Sequence, residues 1–276
     1  MKKYIVLLFL ILINYSFAQS KLEIFPGQLN IQPFAANTLE PKLGSIFKIG
    51  KNQLELNIGS SSDILHYQKS ENETLSFGAD LFTYTLLRGE HYFHFPVDAV
   101  DYLFGINGGY KNIIDNDHEY GARLRLSHIS AHFADGHYEG AFQRWRDNEN
   151  PRVYSREFFE LMSYYRINTF RIYGGLTYII HTTPSEIKKD NYQLGFDYYF
   201  KNSISEYLIP FAGYDLKVIH LDKYSVNHSV ILGIKFGRLY GKGLTAFFTY
   251  YSGKSYHGEY YDYNSEYSAI GINMDL

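Results

Sequence analysis

The 276-residue sequence has no cysteine, and its formal net charge of -3 leaves no surplus of positive charge. Zinc–thiolate sites, iron–sulfur clusters and a cysteine nucleophile are therefore excluded, and a chain without cysteine suits an oxidising compartment. Nucleic acid is not indicated as a partner, because its binding depends on clustered Lys and Arg. Long apolar runs are also scarce, with a mean hydropathy of -0.27, whereas 28 Tyr and 21 Phe make the chain rich in aromatic rings.

The most continuous apolar run lies near the N-terminus. Lys2 and Lys3 precede apolar residues over 4–13, a run that is too short to span a bilayer as a helix. Small residues follow it and end at Ala18, which completes the pattern of an export signal. The sequence therefore predicts a signal peptide over 1–18, cleaved near Ala18.

From residue 42 onward, apolar and polar residues alternate with a period of two, in long segments separated by turn residues. This alternation is the pattern of β-strands and predicts about twelve of them. The predicted strands lie at 42–50, 52–66, 75–88, 98–110, 118–134, 152–168, 170–182, 189–200, 206–222, 225–239, 243–252 and 265–276.

Long alternating strands, an export signal and abundant Tyr and Phe are together typical of an outer-membrane β-barrel. A sheet that spans lipid must close on itself, because no water can satisfy its edges. The sequence therefore predicts an all-β fold, an antiparallel transmembrane β-barrel over 42–276 in the bacterial outer membrane. Residues 19–41 alternate poorly and are expected to lie in the periplasm or in the barrel lumen. A soluble secreted β-sandwich or lipocalin-like barrel is the alternative.

The last predicted strand places Ile270, Ile272 and Met274 on one face. It resembles the C-terminal insertion signal of outer-membrane proteins, although it ends in Leu276 rather than in an aromatic residue. The resemblance implies outer-membrane lipid and the barrel assembly machinery as partners.

Candidate catalytic residues lie on the predicted strand 118–134. Arg123 and Arg125 would be costly toward lipid, so we expect them to face the lumen, and alternation then directs His128 and Ser130 outward. A histidine two residues from a serine on a strand projects on the same side and can act as its general base.

Glu157, on the predicted strand 152–168, is expected to face outward and to lie opposite His128 or Ser130, within one step of register. A carboxylate in that place can hold the histidine tautomer, as the acid of a serine triad does. We therefore predict Ser130 as nucleophile, His128 as general base and Glu157 as orienting acid.

Metal binding is an alternative use of the residues near the end of the same strand. His132, Asp135 and His137 offer imidazole and carboxylate ligands that suit zinc or another divalent ion. The acids of the long loop, Asp135, Asp147 and Glu149, leave calcium open as a ligand. The sequence indicates no other cofactor.

The tripeptide His128-Ile129-Ser130 resembles the His-x-Ser motif of outer-membrane phospholipase A and of the lipid A deacylase. These barrels hydrolyse acyl esters with a serine that faces lipid. In the phospholipase pattern Asn-Gly follows the serine, whereas Ala131-His132 follows it here.

A longer similarity is to a bacterial family of unknown function, the domain of unknown function 1207. It is carried by three stretches of the sequence, Arg125 to Gly136, Ser155-Arg156-Glu157 and the run at 96–101. The resemblance implies an envelope barrel without an established activity.

Two classes of function remain open. The sequence favours a non-catalytic barrel that serves as a narrow pore, an assembly partner or a structural element. His128 and Ser130 would then be hydrogen-bonded across strands or at the interface of a homodimer. The alternative is a lipid-facing serine acyl hydrolase or deacylase, acting on phospholipid or lipopolysaccharide of the outer leaflet.

Overall fold

The computed structural model describes residues 20–40, 42–201 and 203–275. The predicted signal peptide over 1–18 lies outside the described residues. The strands are β1 (Lys21–Ile24), β2 (Leu43–Lys48), β3 (Gln53–Gln68), β4 (Glu73–Arg88), β5 (Val97–Ile113), β6 (His118–Phe133), β7 (Tyr138–Glu139), β8 (Arg144–Trp145), β9 (Tyr154–Ile167), β10 (Phe170–Thr183), β11 (Asp190–Tyr199), β12 (Leu208–His220), β13 (Tyr224–Gly237), β14 (Gly243–Lys254) and β15 (Asn264–Asp275). Short 3₁₀ helices cover His91–Phe93, Asp135–His137, Arg146–Asn148 and Gly258–Tyr260.

Twelve of these strands, β2–β6 and β9–β15, form a closed antiparallel barrel. Each pairs with its neighbour along the chain, and the pairing of β15 with β2 closes the ring. The short strand β1 adds to the edge of β3 beyond the end of β2, while β7 and β8 form a small hairpin of their own. The predicted all-β barrel of about twelve strands is therefore confirmed. None of the described residues form a helix that is long and apolar enough to cross a membrane.

The outer surface of the barrel is a band of apolar side chains. Outward positions alternate with buried inward positions along each strand, as on β6, where Leu124 and Leu126 are exposed while Arg123 and Arg125 are buried. This arrangement suits a wall between lipid and a polar interior, because charged side chains on the lipid face of a barrel are destabilising.

The lumen is occupied by the segment 26–40, which follows β1. Its Phe34 is fully buried, and the Arg171 guanidinium lies 4.6 Å from the centre of the Phe34 ring. Arg171 also donates hydrogen bonds to the backbone carbonyls of Gln32 and Pro33 and to the carboxylate of Asp197. These contacts hold the segment to the inner wall.

An ion network ties the end of this segment to β6. Glu40 accepts hydrogen bonds from Arg123 at 3.0 Å and from Arg125 at 3.3 Å. Arg125 also forms ion pairs with Glu160 at 3.1 Å and with Asp80 at 2.9 Å. Carboxylates from the segment 26–40, from β4 and from β9 thus compensate the charges of the two arginines, which explains how these side chains can be buried.

The two ends of the barrel differ. The longest connections, 134–153 and 255–263, lie at one end, which we call the long-loop end. The chain enters β2 and leaves β15 at the other end, where strands are joined by short turns such as 168–169; we call it the short-turn end. Outer-membrane barrels carry long extracellular loops and short periplasmic turns, and the two ends of this barrel differ in the same way.

Candidate functional site

The predicted catalytic residues lie on the outer wall, toward the long-loop end. Strand β6 pairs in continuous register with β5 and with β9, so the alternation of its side chains is not interrupted. His128 and Ser130 are half-buried on the outward face, whereas the intervening Ile129 is buried inside. Ser130 is followed by only three more residues of β6, which ends at Phe133.

His128 and Glu157 lie directly opposite each other in the register of β6 and β9. The Nδ1 atom of His128 lies 2.7 Å from Oε1 of Glu157. An ionised carboxylate only accepts hydrogen bonds, so this contact places the proton on Nδ1 and leaves Nε2 as the basic nitrogen of a neutral ring. The pair thus has the arrangement by which an acid orients a catalytic base.

Ser130 follows two positions after His128 on the same face. Its cross-strand neighbours are Ser155 on β9 and Tyr102 on β5. Among the described residues no hydrogen bond joins the Ser130 hydroxyl to His128. Catalytic hydrogen bonds are often long or poorly aligned before substrate binds and tighten in the substrate complex.

Glu157 has a second imidazole partner, His181 on β10. The Nδ1 atom of His181 lies 2.9 Å from Oε2 of Glu157, so each carboxylate oxygen accepts one imidazole hydrogen bond. Strict alternation from Tyr178 would direct His181 into the lumen. A register shift between Ile179 and His181 turns it outward, and the sequence carries no Gly or Pro there that would signal this bulge.

Aromatic side chains flank the site on β5. The ring of Phe104 lies 4.9 Å from the ring of His128, and Tyr102 lies 6.1 Å from the ring of His132. Phe104 and Tyr102 are both exposed on the outer wall. His128 and Ser130 are therefore bordered by exposed aromatic surface on the side of β5.

The predicted metal ligands do not converge. His137 is buried, with Nδ1 2.8 Å from Oδ1 of Asp98 and its ring stacked 3.7 Å from that of Phe133. His132 is exposed on the outer wall, and Asp135 accepts a hydrogen bond from the adjacent backbone N–H. Within 20–40, 42–201 and 203–275, no three His, Cys, Asp or Glu side chains are grouped as metal ligands would be.

The candidate calcium ligands also have other contacts. Asp147 pairs with Arg88, and the backbone carbonyl of Glu149 lies 3.2 Å from Nε2 of His137. These contacts hold the 134–153 loop to the barrel rim.

A second buried histidine belongs to the connection 255–263, which folds over the long-loop end. Nδ1 of His257 lies 2.9 Å from Oδ2 of Asp101, and Nε2 lies 3.6 Å from Oε1 of Glu55. Burial alone lowers the pKa of an imidazole, but the hydrogen bond to Asp101 and the charges of Asp101 and Glu55 outweigh it and raise the pKa of His257 to about 9. No sequence pattern indicated this role, because Asp101 and Glu55 are both distant from His257 along the chain.

Solved structures of outer-membrane phospholipase A are similar to this chain in fold. The enzyme from Escherichia coli matches with a TM-score of 0.52 and 12% identity, over 90% of this chain and 95% of its own. The Salmonella typhi enzyme, solved as a dimer with bound calcium, matches with a TM-score of 0.53 and 12% identity, over 90% of this chain and 94% of its own. At this identity the likeness concerns the fold alone.

Sequence comparison gives the family of the chain. None of the curated proteins matches it. The model of a family described as a protein of unknown function, DUF1207, matches residues 100–276. That match covers more than half of the sequence, including β6, β9 and β10, and the chain therefore belongs to the DUF1207 family.

Proposed function

We propose that the protein is a membrane-embedded serine acyl hydrolase whose site lies on the lipid-facing wall of the barrel. The observation that carries the proposal is the 2.7 Å contact between His128 Nδ1 and Glu157 Oε1, two residues from Ser130 on the same outward face. Polar groups on the lipid face of a barrel are costly. A catalytic role would explain why His128, Ser130 and Glu157 lie close together on this face.

The proposed reaction is hydrolysis of an acyl ester. Ser130 Oγ attacks the ester carbonyl carbon while Nε2 of His128 takes the hydroxyl proton, and Glu157 stabilises the imidazolium that forms. Collapse of the tetrahedral intermediate breaks the ester C–O bond, and His128 returns the proton to the leaving alcohol. Water then cleaves the acyl-enzyme by the same route, which releases the fatty acid and restores Ser130.

The depth of the site favours lipid esters as substrates. Ser130 lies three residues before the end of β6, which is roughly 10 Å of strand at the usual rise per residue. A carbonyl just below the headgroups of the outer leaflet would meet a serine at this depth. We therefore propose the acyl esters of outer-leaflet phospholipid or lipopolysaccharide as the substrate class.

Fatty-acid release by the refolded full chain tests the proposal. Mixed micelles of phospholipid and lipopolysaccharide are the substrate, with and without added calcium, and Ser130→Ala is expected to abolish release. Ser155→Ala is the matched control, because this serine lies opposite Ser130 on the same wall but outside the predicted triad. Equal release by the wild type and Ser130→Ala would refute the serine mechanism.

A structural role is the second candidate, and one observation favours it. Glu157 joins histidines from both neighbouring strands, at 2.7 Å to His128 and 2.9 Å to His181. Such a bridge across β6, β9 and β10 would hold three strands together without any chemistry. Loss of barrel assembly in both Ser130→Ala and His128→Ala would support this role over hydrolysis.

The cellular setting is part of the proposal. We infer that the barrel resides in the bacterial outer membrane after signal-peptide cleavage near Ala18, and that the barrel assembly machinery inserts it. A homodimer is proposed by analogy with the phospholipase from Salmonella typhi, whose structure is described as a dimer with bound calcium. Cross-linking in vesicles with and without calcium tests both the dimer and the ion.

A further inference from the structure

A cavity of about 390 Å³ lies at the short-turn end of the lumen. Its volume is at the lower end of the range of roughly 300–1,000 Å³ that is common for small-molecule sites. Part of its wall is apolar, formed by Phe34, Leu43, Phe211, Ile231 and Met274. The segment 26–35 forms another part of the wall, so the cavity lies between the lumen-filling segment and the barrel.

The cavity reaches the outside of the barrel at an unpaired edge. Strand β3 pairs with β2 over 53–57 and with β1 over 65–68, and among the described residues no strand pairs with this edge over 58–63. The inward-facing Asp63 and the outward-facing, exposed Ser62 both line the cavity. The cavity therefore passes around the free edge of β3.

The opening faces the lipid. Ile58, Leu81 and Met274 surround it on the outer wall and are all at least half exposed. Leu81 lies directly opposite Ser60 in the pairing of β3 with β4. An acyl chain can thus enter from the apolar band by passing Ser60 and Ser62 at the free edge of β3.

Most charges in the cavity wall already have a partner of opposite sign. Arg171 pairs with Asp197 at 2.7 Å, and Lys235 pairs with Asp275 at 2.7 Å. Lys42, which lines this cavity and a smaller one beside it, has no hydrogen bond or ion pair with any residue that the structure describes. The side-chain oxygen of Asn273, also in the wall, is buried without a partner within the described ranges.

We propose that this cavity binds a long-chain fatty acid that enters sideways from the membrane. The carboxylate would pair with Lys42, and the chain would lie along the apolar wall toward the opening at Ser62. A fatty acid suits the site because its carboxylate matches an ammonium that has no ion pair among the described residues, and its apolar tail matches the apolar wall. The cavity lies at the opposite end of the barrel from Ser130, so binding is independent of the proposed hydrolysis.

Native mass spectrometry of the refolded full chain tests this site. The protein is released from detergent micelles that contain palmitate, hexadecanol or palmitoyl-lysophosphatidylglycerol, and the bound molecules are counted. One palmitate is expected on the wild type and on Ser130→Ala. Lys42→Gln and Ser62→Trp, which remove the charge and obstruct the opening, are each expected to reduce palmitate affinity at least tenfold. Lys223→Gln is the matched control, because Lys223 is exposed in the turn after β12.

Folding of each variant is checked by its heat-dependent shift in electrophoretic mobility. Unchanged palmitate retention by folded Lys42→Gln would overturn the proposed carboxylate site. Equal retention of hexadecanol would do the same, because it has the chain without the charge. Preferential retention of the lysophospholipid would replace a free fatty acid by a phospholipid as the occupant, and so overturn the proposal as stated.

Discussion

The imidazole of His128 and the carboxylate of Glu157 meet at 2.7 Å on the outside of the barrel, from directly opposed positions of two neighbouring strands. The contact requires β6 to keep its alternation from Arg123 to Ser130, and the long connection 134–153 to return the chain in matching register. A shift of one residue in either strand would move one of the two side chains to the lumen. The pairing is thus a property of the whole hairpin.

Glu157→Gln is expected to lower fatty-acid release by roughly 100-fold or more, since an amide cannot stabilise the imidazolium and can hold the wrong histidine tautomer. Fatty-acid release by His181→Gln is expected to stay within about tenfold of the wild type, because His128 keeps its own carboxylate oxygen in that variant. Release is measured with the same mixed micelles as above.

His228→Gln is the matched control for these two variants. His228 is also a half-buried outward histidine, and it contacts Tyr214 on the far side of the barrel. Equal losses of release in His181→Gln and Glu157→Gln would show that the two side chains act as one unit, against the separate role assigned to His128.

Glu40→Gln is expected to destabilise the barrel by about 3–5 kcal/mol, the usual cost of removing one partner from a buried ion network. Arg123 and Arg125 would lose their carboxylate from the lumen-filling segment. The temperature at which the folded electrophoretic form disappears measures the effect. Glu23→Gln, on the exposed strand β1, is the control, and an equal unfolding temperature for both variants would contradict the stabilising role of the network.

The same network predicts a closed lumen. The segment 26–40 fills the interior and is held by Arg171 and by the Glu40 contacts. We expect the wild-type barrel in a planar lipid bilayer to show no stepwise ion conductance, and the double variant Phe34→Ala, Glu40→Gln to show intermittent openings. Steady conductance by the wild type would instead support a narrow pore, one of the non-catalytic functions that the sequence leaves open.

Alternation was enough to predict the strands and the outward direction of His128, Ser130 and Glu157, because a lipid-facing wall imposes one polarity on every second residue. Alternation could not predict the outward direction of His181, since a bulge in β10 just before it reverses which residues face outward. Alternation did place Glu160 on the lumen side of the next strand, where it pairs with Arg125, but it could not predict the two other partners of Arg125. Glu40 lies in a segment without alternation, and Asp80 lies on β4, from which it reaches Arg125 across the intervening strand β5.

The connection 255–263, which folds over the long-loop end, is expected to loosen at high pH. In the folded barrel the imidazole of His257 lies between Asp101 and Glu55, and Lys48 contacts the second acid at 2.8 Å. These acids raise the pKa of His257 to about 9, whereas an unfolded histidine titrates near about 6.5. A raised pKa means that the protonated ring stabilises the fold fully below about pH 6.5, and that this contribution is lost as the pH rises through about 9.

Protonated His257 contributes on the order of 3 kcal/mol at most to the free energy of unfolding, from the difference between the two pKa values. The unfolding temperature is measured from pH 6 to pH 10 for the wild type, His257→Gln and the control His94→Gln, whose ring is exposed in the connection 89–96. Lysines and tyrosines also titrate in this range, so the informative quantity is the difference between each variant and the wild type. That difference should shrink toward pH 10 for His257→Gln and stay near zero for His94→Gln. A gap that is constant with pH would mean that His257 stabilises the loop by packing alone, because only a charge-dependent contribution disappears when the proton leaves.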